Sequence, residues 1–286
     1  MLQRSTFQLL RFHFSLFLLP VYLFGISQVD DIHPAKALLI FIILHVFVYP
    51  SSNGYNSYMD RDETPIGGLS RPMQPTKQLF YLSVAMDFIA VSLSLLINLY
   101  FAVGILIYIL ASRAYSYRGI RLKKYPVTGY LTVVLFQGAE IFFLTRYGSS
   151  SSNSTSVPLS SIIAASCLIG GYYPLTQIYQ HEEDIRDGVK TISYLLGKKG
   201  TFVFCGIVFL TATIAIFLTF QQQNNLRNFW LFILCMLPMV WFFSRWAIQV
   251  WKNEQAADFK NSLRMNVLAS LCTSICFLII LIQKQF

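Results

Sequence analysis

The chain has 286 residues, 55% of them hydrophobic and 12% charged, with 22 Lys plus Arg against 13 Asp plus Glu and a formal charge of +9. A soluble domain carries about 25% charged residues, so this composition excludes a water-facing globule and points to a lipid solvent. Five cysteines (Cys167, Cys205, Cys235, Cys272 and Cys276) sit in apolar runs without a CxxC pair, which argues for small buried hydrophobes over disulfides or zinc ligands.

A helix crosses the hydrocarbon core with about 20 apolar residues, and long uninterrupted apolar runs select helices over barrel strands. In chain order the runs predict nine spans at 7–27, 35–56, 78–97, 99–114, 127–147, 158–180, 201–221, 227–250 and 262–283. The first follows Arg4 and Arg11 but lacks a small-residue cleavage site, so it reads as a membrane helix and not a signal peptide. The expected fold is an all-α, polytopic bundle of nine transmembrane helices forming a single domain over 1–286.

Loop charge tests the count. With the N-terminus inside, 18 basic residues fall on one side, including Arg113, Arg118, Arg121, Lys123 and Lys124. Four (Lys36, Arg146, Arg227 and Lys284) fall on the other. That asymmetry predicts a cytoplasmic N-terminus in a membrane such as the bacterial inner membrane. The serine-rich segment Ser149–Ser156 then lies on the opposite side and reads as a flexible loop.

Seven of the 13 acids gather at two of these span ends, on the basic side. The end of the second span carries Asn56, Tyr58, Asp60, Asp62, Glu63 and Thr64, followed by Arg71-Pro72; the end of the sixth carries Gln180, His181, Glu182, Glu183, Asp184, Asp187, Gly188 and Thr191. Residues four apart share a helix face, so Asn56 pairs with Asp60 and Gln180 with Asp184. Two oxygen-rich faces across one cavity suit Mg²⁺, which takes octahedral oxygen ligands and is completed by water and substrate phosphate. Arg71, Arg118, Arg121, Lys123, Lys124, Arg186 and Lys190 would seat a diphosphate beside it. Solvated helix ends neutralising basic loops are the simpler alternative, weakened by the coincidence of two clusters on one side.

These residues resemble the UbiA superfamily of intramembrane prenyltransferases, whose nine-helix bundle carries an N-x3-D-x3-D motif followed by Arg-Pro and, after the sixth helix, D-x3-D-x3-G-x2-T. Asn56, Asp60 and Arg71-Pro72 match the first; Asp184, Gly188 and Thr191 match the second. The resemblance implies transfer of an isoprenyl group from a prenyl diphosphate to a hydrophobic, aromatic or lipid acceptor. It points to Asp60, Asp184, Arg71 and Lys190 for catalysis and to Asn56, Tyr58, Lys123, Arg118 and Arg186 for substrate, to which Glu140 is added as a carboxylate deep in a span. Mg²⁺ would be held by Asn56, Asp60, Asp62, Glu63, Glu183, Asp184 and Asp187, with membrane lipid and no nucleic acid as partners. Thr64 and Gln180 stand where the family has Asp. The metal site is therefore rebuilt on other carboxylates, holds fewer ions, or has lost catalysis.

Tyr49, Tyr55, Tyr58, Tyr115, Tyr172, Tyr173 and Tyr179 are candidates to face an allylic cation. Asp87 and Glu140 lie deep in spans, where a carboxylate is a functional candidate by default. The competing classes are a noncatalytic scaffold, which needs no facing acids, and an isoprenoid transporter, which would show internal repeats absent from this sequence.

Overall fold

The computed structural model describes residues 2–285. Its helices are α1 (Arg4–Ser27), α2 (Pro34–Asp60), α3 (Lys77–Ser94), α4 (Leu99–Ser116), α5 (Pro126–Ser149), α6 (Leu159–Gln177), the short α7 (His181–Arg186), α8 (Ile192–Gln222), α9 (Leu226–Lys252) and α10 (Phe259–Gln285). Among the described residues, eight are long and apolar enough to cross a membrane. The 18-residue α3 is as long as α4 but carries Lys77, Gln78 and Asp87 in place of apolar residues, so it is not among the eight.

Predicted boundaries shift by a few residues because polar ends continue the helices. The second span extends from 56 to Asp60, and the third stops at Ser94 instead of 97, before Asn98 caps α4 by accepting from Phe101 N (2.8 Å). Pro174 and Pro238 lie inside α6 and α9 without ending them.

The helices pack around a central space in the order α1, α2, α4, α5, α6 and α10, with α10 returning to α1; α3 backs α2, and α8 and α9 back α6 and α10. Where α5 meets α6, a side chain on Gly138 would place its Cβ 2.6 Å from Ser166 Cα, so glycine permits the approach of the two backbones. A continuous core runs through the bundle, and a smaller one of Leu9, Leu10, Ile66, Leu79 and Met86 fills the corner between α1, α2 and α3. Phe88, Leu99, Trp230, Leu234 and Trp241 point outward and are exposed, as expected when the surrounding solvent is lipid.

The serine segment departs from its expected flexibility. Asp31 accepts from Ser150 Oγ (2.7 Å) and Ser152 N (2.8 Å), and His33 N donates to Ser149 O (2.8 Å), which ties this loop to the α1–α2 connection. The five cysteines are free, three of them buried.

Candidate active site

Asn56 and Asp60 meet at the end of α2 as the four-residue spacing requires. Asn56 Nδ2 donates to Asp60 Oδ2 (2.8 Å) and to Ser116 Oγ (3.0 Å), joining α2 to α4. Asp60 is nearly sealed, with a side chain 3% exposed. Its charge is balanced by Lys123 Nζ, 2.5 Å from Oδ2, and by Arg121, 3.6 Å from Oδ1. Both cations come from the connection between α4 and α5, where Arg121 adopts a left-handed backbone (φ 52°). Arg121 also donates to the Asp187 carboxylate and, at 3.0 Å, to its carbonyl; Arg118 reaches Asp187 (3.5 Å) and Met59 O (2.8 Å). The α4–α5 connection thus clasps both acidic clusters.

The second cluster stands opposite. Gln180 Nε2 donates to Pro65 O (3.1 Å), and Glu63 N donates to the Glu183 carboxylate at Oε1 (3.2 Å), so the segments cross-link without a cation between them. Val189 N closes on Asp184 O (2.7 Å) through a turn in which Gly188 takes φ +70°, accounting for glycine at that motif position. Asp184 Oδ2 and Glu183 Oε2 are buried without a hydrogen-bond partner. Burial, reinforced by the neighbouring acids and opposed by Lys123, pushes the Asp184 carboxyl up to about 7 and that of Asp62 up to about 6.

Between the clusters lies a cavity of about 240 Å³. Its mouth is formed by Arg11, Asn56, Asp60, Asp62, Lys123 and Asp184; further in come Tyr115, Tyr172 and Tyr173, with Phe14, Phe17 and Leu18 on one wall. The hydroxyls of Tyr115 and Tyr173 touch. The inner end is polar, made by Ser52, Tyr108, Ser112 and Gln137. Gln137 belongs to a π-helical stretch of α5, Val134–Glu140, whose extra residue per turn is a frequent device at functional sites.

The structure gathers five sequence-predicted residues at this cavity: Asn56, Asp60, Asp62, Lys123 and Asp184. Glu63, Glu183, Asp187 and Arg118 lie at its edge, and Asp187 is committed to arginines, not free for a metal. Arg71, Arg186 and Lys190 are exposed and do not line it; the Arg71 carbonyl instead accepts from Gln8 Nε2 (3.2 Å). Tyr58 packs on Phe80, ring centroids 5.3 Å apart. Of the other tyrosines, Tyr115, Tyr172 and Tyr173 reach the cavity while Tyr49, Tyr55 and Tyr179 do not. Glu140 sits behind the lining beside Tyr108, with Oε2 buried and unpartnered. Asp87 has a structural partner: Arg113 Nε donates to it (2.9 Å) and Ser51 Oγ bonds its other oxygen (2.5 Å).

Arg11 is the residue that sequence reasoning placed only in a loop-charge count. It breaks α1 with a left-handed backbone (φ 48°) and is buried, its guanidinium donating to Gly67 O (3.2 Å) and Asn53 O (3.3 Å) within the cavity lining. The signal available was a charge flanked on both sides by apolar residues.

A Mg²⁺ ion fits the donors present. Three buried carboxylate oxygens, Asp60 Oδ1, Glu183 Oε2 and Asp184 Oδ2, make no hydrogen bond, and the Asp62 charge is felt at the mouth beside them. Among the described residues no three His, Cys, Asp or Glu side chains converge to chelate an ion unaided, so water and phosphate oxygens would complete its shell.

The model of the UbiA prenyltransferase family matches residues 17–268, and the chain belongs to that family. No curated protein matches the sequence significantly. The fold is shared with a UbiA homolog from Aeropyrum pernix K1 solved in the apo form, with TM-score 0.71 and 17% identity over 94% of this chain and 98% of that one. A UbiA homolog from Archaeoglobus fulgidus bound to GPP and Mg²⁺ matches with TM-score 0.68 and 19% identity, over 96% and 99%. A digeranylgeranylglyceryl phosphate synthase matches with TM-score 0.62 and 18% identity, covering 98% of each chain.

Proposed function

We propose that this protein transfers an isoprenyl group from a prenyl diphosphate to a hydrophobic acceptor within the membrane, in a Mg²⁺-dependent reaction. The observation that carries this reading is one cavity with charged groups of both signs at its mouth and aromatic rings behind them. The relatives solved with GPP or DMAPP and Mg²⁺ support the substrate class. Bound Mg²⁺ supplies Lewis-acid neutralisation of the leaving diphosphate.

Arg11 and Lys123 hold diphosphate oxygens, and Asn56 keeps the Asp60 carboxylate oriented toward Lys123. As the allylic C–O bond breaks, its electron pair leaves with diphosphate and positive charge develops on carbon beside Tyr115, Tyr172 and Tyr173. The apolar tail lies along Phe14, Phe17 and Leu18. The acceptor's hydrogen-bonding group meets Ser52, Tyr108 and Gln137, and a new bond to the allylic carbon forms as the acceptor loses a proton. Glu140, behind the lining beside Tyr108, is the base we assign to that proton. Arg71, Arg186 and Lys190 contribute to the positive field outside the mouth and attract the anionic substrate.

In the membrane, α3 forms a ninth span with Asp87 neutralised by Arg113, and the N-terminus and acidic clusters face the cytoplasm, following the 18 to 4 division of basic residues. The test is incubation of membranes holding the protein with labelled prenyl diphosphates and extracted lipids, with and without Mg²⁺. A labelled lipid-soluble product that requires Mg²⁺ supports the reading. No product, together with diphosphate binding unchanged by Asp60→Ala and Asp184→Ala, rules it out.

A further inference from the structure

The two clusters are not equivalent in charge. Each keeps one carboxylate at the positions where the family pattern has two, because Thr64 and Gln180 replace the others. Thr64 is exposed, and the Gln180 amide is occupied with Pro65 O (3.1 Å). Asp60 is compensated from within the protein, by the largely covered Lys123 at 2.5 Å and the buried Arg121 at 3.6 Å. Asp187 is likewise held by Arg121 and Arg118. Among the described residues, no cation lies within ion-pair distance of Asp184 or Glu183; each buries one oxygen without a hydrogen bond, as does Asp60, whose Oδ1 nevertheless has Arg121 at 3.6 Å.

Building on the prenyl diphosphate reading above, we propose that Lys123 is the built-in counter-cation of Asp60 and that the site takes a single divalent ion, held from the Asp184 side. A lysine ammonium is a compact point charge with three donors, suited to occupy the position of an ion between a carboxylate and a phosphate. A divalent ion bound directly to Asp60 would have to displace Lys123 and come to rest beside two fixed positive charges, against like-charge repulsion in a buried site. At Asp184 the same ion meets an oxygen with no hydrogen bond, in the negative field of Glu183 and Asp62, while the cation acting there, Lys123, is ion-paired to Asp60. The loss of one acid from each motif and the salt bridge at Asp60 thus describe one change: a protein cation takes over part of the charge that metal would supply.

The experiment counts Mn²⁺ bound to the purified full chain in nanodiscs by electron paramagnetic resonance, with saturating inorganic diphosphate present. Binding is expected to saturate at about one Mn²⁺ per chain. Asp184→Asn removes that ion, Asp60→Asn retains it with affinity within about tenfold of wild type, and Lys123→Arg keeps the same count. Lys123→Gln, which frees the Asp60 carboxylate, allows a second ion. About two ions on the wild-type chain, no bound ion, or loss of the ion in Asp60→Asn as complete as in Asp184→Asn would overturn the inference. The outcomes separate from those of the transfer reading: prenyl transfer with two ions bound defeats the inference alone, and one ion bound without any transfer defeats the transfer reading alone.

Discussion

α3, the long helix that falls outside the eight apolar ones, is joined to the bundle by an ion pair whose removal has a calculable effect. Arg113 on α4 donates through two nitrogens to Asp87 on α3, Ser51 of α2 bonds the remaining oxygen at 2.5 Å, and both charged side chains are about 15% exposed or less. Arg113 also lies over the Tyr55 ring, 4.1 Å from its centroid. In Arg113→Leu, Asp87 keeps one hydroxyl donor and loses its charge partner. Breaking a buried pair costs about 3–5 kcal/mol, and the surviving Ser51 bond places this variant near the lower end, at about 3 kcal/mol. With each kcal/mol worth about 2–4 °C in a chain of this size, the melting temperature falls by about 6–12 °C. Asp87→Leu alone leaves Arg113 uncompensated and falls by a similar amount. The double variant buries no unpaired charge, so its loss stays near that of one single variant, about 3–4 kcal/mol against an additive sum of about 6, which is a coupling energy of about 2–3 kcal/mol. Thermal unfolding of the four proteins in one detergent, followed by intrinsic fluorescence, measures the cycle. A double variant that melts at the sum of the two single losses refutes the assignment of α3 anchoring to this pair.

The acidic mouth predicts opposite pH responses with and without metal. Asp184 and Asp62 titrate near about 7 and about 6, above their unfolded value of 3.8, so their contribution to stability is present below that value and lost as pH rises through 6 and 7. The metal-free protein should melt at a lower temperature at pH 8 than at pH 5, Mg²⁺ should reverse the trend at pH 8, and Mg²⁺ affinity should rise across this interval; a metal-free melting temperature that climbs from pH 5 to 8 contradicts the burial of these acids. Tyr173→Leu should lower kcat by about tenfold, equivalent to about 1.4 kcal/mol of cation–π stabilisation, while Tyr173→Phe keeps the ring and most of the rate; steady-state kinetics with equal losses in both would remove the ring from the reaction. Arg11→Gln should raise KM for prenyl diphosphate by about tenfold or more through loss of a charge-assisted contact, whereas Arg71→Gln should change it by less than about threefold; a reversed order would invalidate the placement of Arg11 at the mouth.

The apolar runs, loop charge and two motifs made much of the bundle and the pairing of acidic clusters legible, since span length and four-residue helix spacing are local properties. Partners distant in sequence were not. Asp87 drew attention as an intramembrane carboxylate, but Arg113, 26 positions later, read as one of five basic residues beyond α4; its long side chain instead turns back along the helix. Arg121 looked interchangeable with Arg118 and Lys124, until a left-handed backbone turned it beneath Asp60 and Asp187. Arg71 had the reverse fate: its motif position is intact, yet the side chain is exposed outside the cavity. Charge type and sequence neighbourhood specify which end of a membrane protein is basic, whereas loop conformation decides which of those cations meets the substrate.

The central claim is tested most directly by coupling bond cleavage to bond formation in one vessel. Purified protein in vesicles of native lipid extract receives a prenyl diphosphate labelled in both the isoprenyl group and the phosphate, in Mg²⁺ buffer. Prenyl transfer predicts inorganic diphosphate and a prenylated lipid-soluble product appearing together in equal amounts, both abolished by Asp60→Ala with Asp184→Ala. Release of diphosphate with free prenyl alcohol as the sole organic product, or movement of intact label across the bilayer without cleavage, would contradict it.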